Sequence, residues 1–255
     1  MNGSGEGRIK AVLFDLGGTL EDVRCDEQLQ RGALAGFRRI LDRHDLNPAE
    51  WDDRELLARL EQGMREYKAW REQSEIELPP EEVWRTYLLP DWRPTDGARA
   101  GEELAHYYDL RFFSRAMRPE TPRVLAELRA AGFRLGLISN ILSRGLVPRQ
   151  LEAYGIADEF SVVLTSAGFG RRKPHPAIFL EAARRLGVEP AQSAYVGDTV
   201  SRDVAGARRA GYALAIQIRS FLTGLSDNAG DRERPDALVR DLTEVAPLVR
   251  AADAA

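Results

Sequence analysis

SAYVGDTVSRDVAGARRAGYALAIQI, residues 193–218, reads as a strand, a helix and a second strand. SAYVGD at 193–198 is a short apolar run that ends in a carboxylate. Residues 201–210 are helical and stop at Gly211, a residue that often follows a helix. YALAIQI at 212–218 is the second apolar run. A crossover of this kind joins parallel strands, and parallel sheets are covered on both faces. The same alternation extends upstream. FRLGLIS at 133–139 and SVVLTS at 161–166 read as strands, with helices at 122–131, 143–154 and 176–186. Downstream, PDALVRDLTEVAPLVRA holds a short strand and a last helix. Furthest upstream, IKAVLFD at 9–15 is a buried strand halted by Gly17-Gly18.

Between these parts the character changes. Leu29, Ala33, Leu34, Phe37, Ile40 and Leu41 recur at helical spacing, as do Leu56, Leu57, Leu60, Met64 and Tyr67. Pro79-Pro80-Glu81-Glu82 suits the first turn of a third helix. A fourth runs through Leu104, Tyr107, Tyr108 and Leu110. No part of residues 26–114 reads as a strand. This block carries Trp51, Trp70, Trp84 and Trp92, which a helical core uses more readily than a pocket. The fold class is α/β: a parallel-sheet core over 9–21 and 115–255, an all-helical insert over 22–114, and a flexible leader over 1–8.

The chain has 255 residues, 44% hydrophobic and 30% charged, which permits a sizeable core and excludes a disordered chain. A net charge of −4 gives no electrostatic footprint for nucleic acid or an anionic membrane. No apolar stretch is long enough to span a bilayer, and the leader lacks the apolar centre of a signal peptide. The expected location is the cytoplasm, and the expected state a monomer or homodimer. One cysteine, Cys25, excludes an internal disulfide and a cysteine-rich zinc site. Only Lys10, Lys68 and Lys173 are lysines among 36 basic residues, so a lysine at a chemically suggestive position is informative.

Ligands of open parallel sheets bind beyond the carboxyl ends of the strands. There the sequence places Asp15, followed by Gly17-Gly18-Thr19; Ser139-Asn140; Lys173; and Asp198, with Asp203 five residues on. Singly, each is weak: a strand-end aspartate or serine is often a cap, and a lone lysine is usually a solvated charge. Together they offer carboxylates for a hard cation such as Mg²⁺ and a hydroxyl with an ammonium for an anion. His44, His106 and His175 are scattered and read as structural or surface residues. There is no GxGxxG after the first strand and no phosphate-binding GK[ST] loop.

In this order the segments VLFDLGGTL, LGLISN, RRKPHPAIF and VGDTVSRDVAGARRAG resemble the four motifs of the haloacid dehalogenase superfamily. The helical block falls where that family carries its type-one cap. The resemblance implies a Rossmann-like core under a mobile cap. It implies Asp15 as nucleophile and Lys173 beside it, phosphate held by Thr19, Ser139, Asn140 and Lys173, and Mg²⁺ held by Asp15, the Gly17 carbonyl and Asp198, with Asp203 supporting. The substrate implied is a small phosphorylated metabolite, hydrolysed through an aspartyl-phosphate.

Gly17 departs from the family pattern. Phosphatases of the family place there a second aspartate that protonates the leaving group and helps activate water. General acid–base catalysis is worth about 10²–10⁴ in rate. Three readings follow. One is a Mg²⁺-dependent phosphatase that takes its acid from elsewhere, such as Glu21, Asp22 or a cap residue. Another is a carbon–halogen hydrolase, whose leaving group needs no proton, although the family's dehalogenases lack the GDxxxxD pattern seen at 197–203. The third is a weakly active binding or regulatory protein.

Overall fold

The computed structural model describes residues 9–46, 51–89, 94, 96–221, 223 and 234–254. The leader 1–8 and Trp92 lie outside them. Strand β1, Ala11–Phe14, is buried along its whole length and forms the middle of a six-stranded sheet. The other strands are β4 (Arg134–Ser139), β5 (Val162–Thr165), β6 (Ser193–Gly197), β7 (Leu214–Ile218) and β8 (Ala237–Val239). Their order is β5-β4-β1-β6-β7-β8, and every pairing is parallel. The chain runs outward from β1 to β4 and β5, then returns to the other side of β1 for β6. That reversal makes β1 and β6 the switch point, where such sheets bind ligands.

The period of two along β1 sorts its side chains between two cores. Val12 and Phe14 face Leu135, Leu137, Val196 and Ile216, covered by α5 (Thr121–Ala130), α6 (Leu146–Ala153) and the last helix. Ala11 and Leu13 face Ile138, Tyr195 and Ala215, covered by α8 (Pro176–Leu186) and α9 (Ala205–Arg209). α8 begins with Pro176 at its first position, His175 accepting from the Ala177 N–H, and ends at Gly187. A four-residue turn of helix, α7 (Ser166–Phe169), follows β5, and α10 (Val245–Ala254) closes the chain.

The helical block has its own core. It comprises α1 (Glu27–Arg43), α2 (Asp53–Ser74), α3 (Pro80–Val83), which continues as a wider turn over Trp84–Leu88, and α4 (Gly97–Arg111). Asp26 caps α1, and Asp52 with Glu55 forms a capping box on α2. Trp84 and Tyr67 are buried, and Phe37 meets Trp84 and Phe112 at ring centroids of 5.6 and 5.7 Å. The aromatic residues thus serve the core, as expected, with Tyr108 also reaching the cavity described below.

The links to the helical block are short strands. β2 (Glu21–Arg24) pairs antiparallel with β3 (Ser114–Met117). Val23 is buried on one side while Asp22 and Arg24 are exposed. This two-stranded ribbon joins the helical block to the rest of the chain.

Candidate active site

β1 and β6 bring two carboxylates together. Phe14 is in register with Val196, and the Asp15 N–H donates to the Val196 carbonyl at 2.9 Å. Asp15 and Asp198, each just beyond its strand, are therefore neighbours although 183 positions apart in the chain. Asp203 joins them: one oxygen from each of the three carboxylates falls within 4.8 Å of the others. Gly197 permits this approach, since a Cβ there would lie 2.3 Å from the Asp203 carboxyl carbon. Asp203 accepts from the Thr199 N–H at 3.0 Å and its hydroxyl at 2.7 Å. Asp198 accepts from the Ser220 hydroxyl at 2.6 Å.

Lys173 ties the cluster. Its Nζ lies 2.8 Å from Asp15 and 2.6 Å from Asp203, and donates to the Tyr195 hydroxyl at 3.0 Å. Asn140 holds the Lys173 backbone at both ends of the residue: its Nδ2 donates to the carbonyl at 3.0 Å, and its Oδ1 accepts the N–H at 2.9 Å. Ser139 is buried at the end of β4 and lines the same cavity as Asp15. After Asp15 the chain turns tightly, with the Thr19, Leu20 and Glu21 N–H groups all donating to Leu16 O. Gly18 sits at φ 85°, where a Cβ would come within 2.4 Å of Asp198. Thr19 is wholly buried, and its hydroxyl has no hydrogen-bond partner among the described residues.

Of the three buried carboxylates, Asp15 and Asp203 pair with the one buried ammonium. Burial pushes Asp198 up to about 7, helped by repulsion from Asp203 and Asp15. Burial likewise lifts Asp15 to about 6, against the pull of Lys173. For Asp203, burial is outweighed by Lys173 and Arg202, which hold it below the ordinary range. Lys173 is held above its ordinary range because Asp15 and Asp203 outweigh burial. The excess negative charge and the all-oxygen donor set suit a hard divalent cation. The unpartnered Thr19 hydroxyl suits an anion's oxygen. Asp15, Asp198 and Asp203 each offer one carboxylate oxygen to such a cation.

Above the cluster is a cavity of about 470 Å³, walled by the sheet ends and by α2. Gly17 lines it. A Cβ at Gly17 would meet nothing closer than Val23 at 3.4 Å, then Arg115 at 3.8 Å and Glu21 at 3.9 Å. Glu21 is buried and ion-paired with Arg115, and its other oxygen accepts from the Tyr154 hydroxyl at 2.7 Å. Asp22 is half exposed and lies 3.4 Å from Arg118. Neither of these acids lines the cavity.

Residues that the sequence reading passed over line it instead: Asp109, Arg115, Arg172 and the α2 residues Arg65, Lys68 and Arg71. Asp109 Oδ2 accepts from the Leu142 and Ser143 N–H groups at 3.1 and 2.9 Å, joining α4 to the loop after β4. The signal for the α2 residues was present, because 61, 64, 65, 68, 71 and 72 lie on one helical face. Arg172 adjoins Lys173 in sequence. Nothing local marks Asp109 or Arg115.

Among the described residues no helix is long and apolar enough to cross a membrane. The haloacid dehalogenase-like hydrolase family matches residues 9–211. The chain is 31% identical over 246 residues to a glyceraldehyde 3-phosphate phosphatase of Methanopyrus kandleri, covering 95% of this chain and 97% of that protein. A phosphoglycolate phosphatase of Nitrosococcus oceani is 31% identical over 147 residues, 57% of this chain and 63% of that one. Among solved structures, a 2-haloacid dehalogenase from Pseudomonas syringae superposes with a TM-score of 0.65 at 27% identity, covering 95% of this chain and 98% of the other. A phosphatase of the same superfamily from Thermococcus onnurineus gives 0.61 at 25% identity, covering 94% and 98%. With its four motifs gathered at one sheet edge and the family matched over most of its length, the chain belongs to the haloacid dehalogenase-like hydrolases and is an enzyme of that family.

Proposed function

We propose that the protein is a Mg²⁺-dependent phosphatase acting on a small phosphorylated metabolite, with the helical block as a cap over its site. The observation that carries this reading is the Lys173 bridge. One ammonium pairs with Asp15 and partly offsets its charge, and four residues along the chain from Asp15 the buried Thr19 hydroxyl has no hydrogen-bond partner among the described residues. The phosphatase names of the relatives support the same reading.

Asp15 supplies the nucleophilic oxygen. It bonds to phosphorus as the ester P–O bond breaks, and the alcohol leaves; water then hydrolyses the aspartyl-phosphate to phosphate and free Asp15. Lys173, Thr19 and Ser139 hold the phosphoryl oxygens. Asn140 acts through Lys173, whose backbone it fixes. Bound Mg²⁺ would neutralise charge on the transferring group. Gly17 has no proton to give, so the leaving oxygen takes its proton from water or from another group at the cavity. A screen of phosphorylated metabolites with and without Mg²⁺ tests the reading. Metal-dependent phosphate release that vanishes in Asp15→Asn supports it.

Gly17 and the likeness to a 2-haloacid dehalogenase favour a second reading, carbon–halogen hydrolysis, since halide leaves without a proton. Halide release from a 2-haloacid in the presence of a chelator, with no phosphate release under any condition, would establish it instead.

A further inference from the structure

One wall of the cavity that holds Asp15 carries two guanidinium groups around one buried carboxylate. Glu77 is buried, and both its oxygens are engaged. Oε1 accepts from the Tyr67 hydroxyl at 2.6 Å; Oε2 accepts from the Ser166 hydroxyl at 2.7 Å and from Arg172 at 2.8 Å. Arg71 reaches the same carboxylate only at 3.8 Å, beyond a hydrogen bond, and lies over the Tyr67 ring at 5.0 Å. The Arg71 Nε is buried with no hydrogen-bond partner among the described residues. Both arginines line the cavity that holds Asp15 and Lys173. Burial, then repulsion from Arg71, push Arg172 down to about 9, against the pull of Glu77.

The helix that carries Arg71 continues the pattern. Arg65 and Lys68 lie on its cavity face and are exposed to solvent. Acidic residues on the cavity offset this wall only in part. Glu72 lies 3.8 Å from Lys68. Asp109 uses one oxygen on two backbone N–H groups. Glu61 is ten residues before Arg71, about 15 Å along the helix axis. Arg172 and Lys173 are consecutive, so their Cα atoms are about 3.8 Å apart. A ligand that meets Lys173 with its phosphate shares one cavity with the Arg71 and Arg172 side chains.

We propose that this wall, with Arg71 and Arg172 at its centre, recognises a second anionic group on the substrate, so that the preferred ester is a short phosphorylated carboxylic acid rather than a phosphorylated aldehyde or alcohol. The inference rests on the phosphatase reading and narrows it to a substrate class. A carboxylate matches a guanidinium edge with two parallel hydrogen bonds and would occupy donors that the protein leaves unused.

The test separates binding from turnover. Asp15→Asn protein, with Mg²⁺, is titrated by calorimetry with 3-phosphoglycerate and with glyceraldehyde 3-phosphate, which differ in a carboxylate against an aldehyde. The acid should bind at least about tenfold more tightly, a difference of about 1.4 kcal/mol. Adding Arg71→Met should bring the two within about twofold by weakening the acid alone. Arg71→Lys should retain part of the preference. Lys68→Met, at an exposed position with little risk to folding, should reduce it about threefold. A bisphosphate of the same length distinguishes the anion: if it outbinds the acid and loses that advantage in Arg71→Met, the second group is a phosphate and the wall's role stands. Equal affinities for acid and aldehyde, or a preference untouched by Arg71→Met and Lys68→Met, would overturn the proposal. Wild-type hydrolysis is scored separately. Turnover of the aldehyde with no preference for the acid overturns the substrate class alone. An acid preference in binding with no turnover of either ester overturns the phosphatase reading alone. Binding of neither overturns both.

Discussion

Gly17 lies where the backbone leaves room that no side chain fills. Its nearest neighbour to a built Cβ is 3.4 Å away, ordinary contact, and its φ is not positive, unlike that of Gly18. Gly17→Asp should therefore fold. The new carboxyl would stand near both Arg115 and Glu21. If proton supply limits turnover, phosphate release from an alkyl ester should rise by up to the order of 10²-fold, and from an aryl ester less, because an aryl leaving group needs less protonation. Equal Mg²⁺ and a matched thermal melt make the comparison fair; a folded variant with no gain on either ester would show that the protein already has its acid. Asp15→Asn should remove turnover altogether, and activity within about threefold of wild type would refute the nucleophile assignment. Lys173→Arg should also fail. Nζ sits between Asp15 and Asp203 with 1% of the side chain exposed, and a planar fork cannot replace a compact ammonium in that space. Wild-type kinetics in Lys173→Arg would make the bridge incidental.

At the scale of the elements, legibility followed how local the cause was. α8 spans 176–186 as read, because Pro176 opens it and Gly187 closes it. The sheet strands were readable from apolar runs, and their parallel pairing from the helices between them. The ribbon was not: EDVR and SRAM are four polar-rich residues each, and what makes them strands is a partner more than ninety residues away. The helix expected from residue 143 begins at Leu146, since the Leu142 and Ser143 N–H groups turn to Asp109 and the Arg144 and Gly145 N–H groups to Glu102. Asp15, Ser139, Lys173, Asp198 and Asp203, which the structure gathers around one cluster and cavity, could be picked out because each ends a strand or stands in a motif. Asp109 was invisible for the opposite reason, being placed by the packing of α4 on the loop after β4. It can be tested. Burial pushes Asp109 up to about 6 from an ordinary 3.8, with Arg115 and Arg71 pulling it down and Glu77 pushing it up. The folded protein thus holds a proton that the unfolded chain has lost between those values. Its contribution to stability falls as pH rises through that window and stays lower above it, by on the order of 2–3 kcal/mol. Asp109→Asn keeps an acceptor for the backbone N–H groups and carries no charge. Its melting temperature relative to wild type should rise by several degrees between pH 4.5 and pH 7.5; a constant difference would mean that Asp109 is not the titrating group.

For the whole molecule, the carboxylate cluster is where distant parts of the chain meet. Asp15 follows β1 and Asp198 follows β6; Lys173 comes from the segment before α8, and Ser220 from the loop after β7. Asp15, Asp198 and Asp203 repel one another, and Lys173 with Arg202 offsets only part of that charge. A divalent cation bound there would act on the folded state alone, because the unfolded chain does not assemble these three oxygens. Stability should then rise with Mg²⁺ by RT ln(1 + [Mg²⁺]/Kd), about 2.7 kcal/mol at a hundredfold excess over Kd. For a chain of this size that corresponds to roughly 5–10 °C in melting temperature. A chelator should reverse the gain. Asp198→Asn should abolish the response while itself melting no lower than metal-free wild type, since it removes one of the crowded charges and the amide can still accept from Ser220. Ca²⁺, larger and content with irregular coordination, should stabilise as well or better yet support little turnover, because holding charge and positioning a phosphoryl group for attack are separate demands. A melting temperature indifferent to Mg²⁺ at millimolar concentration, in wild type and Asp198→Asn alike, would show that the cluster is balanced by protons rather than by a metal, and would shift the mechanism toward the metal-free halide chemistry.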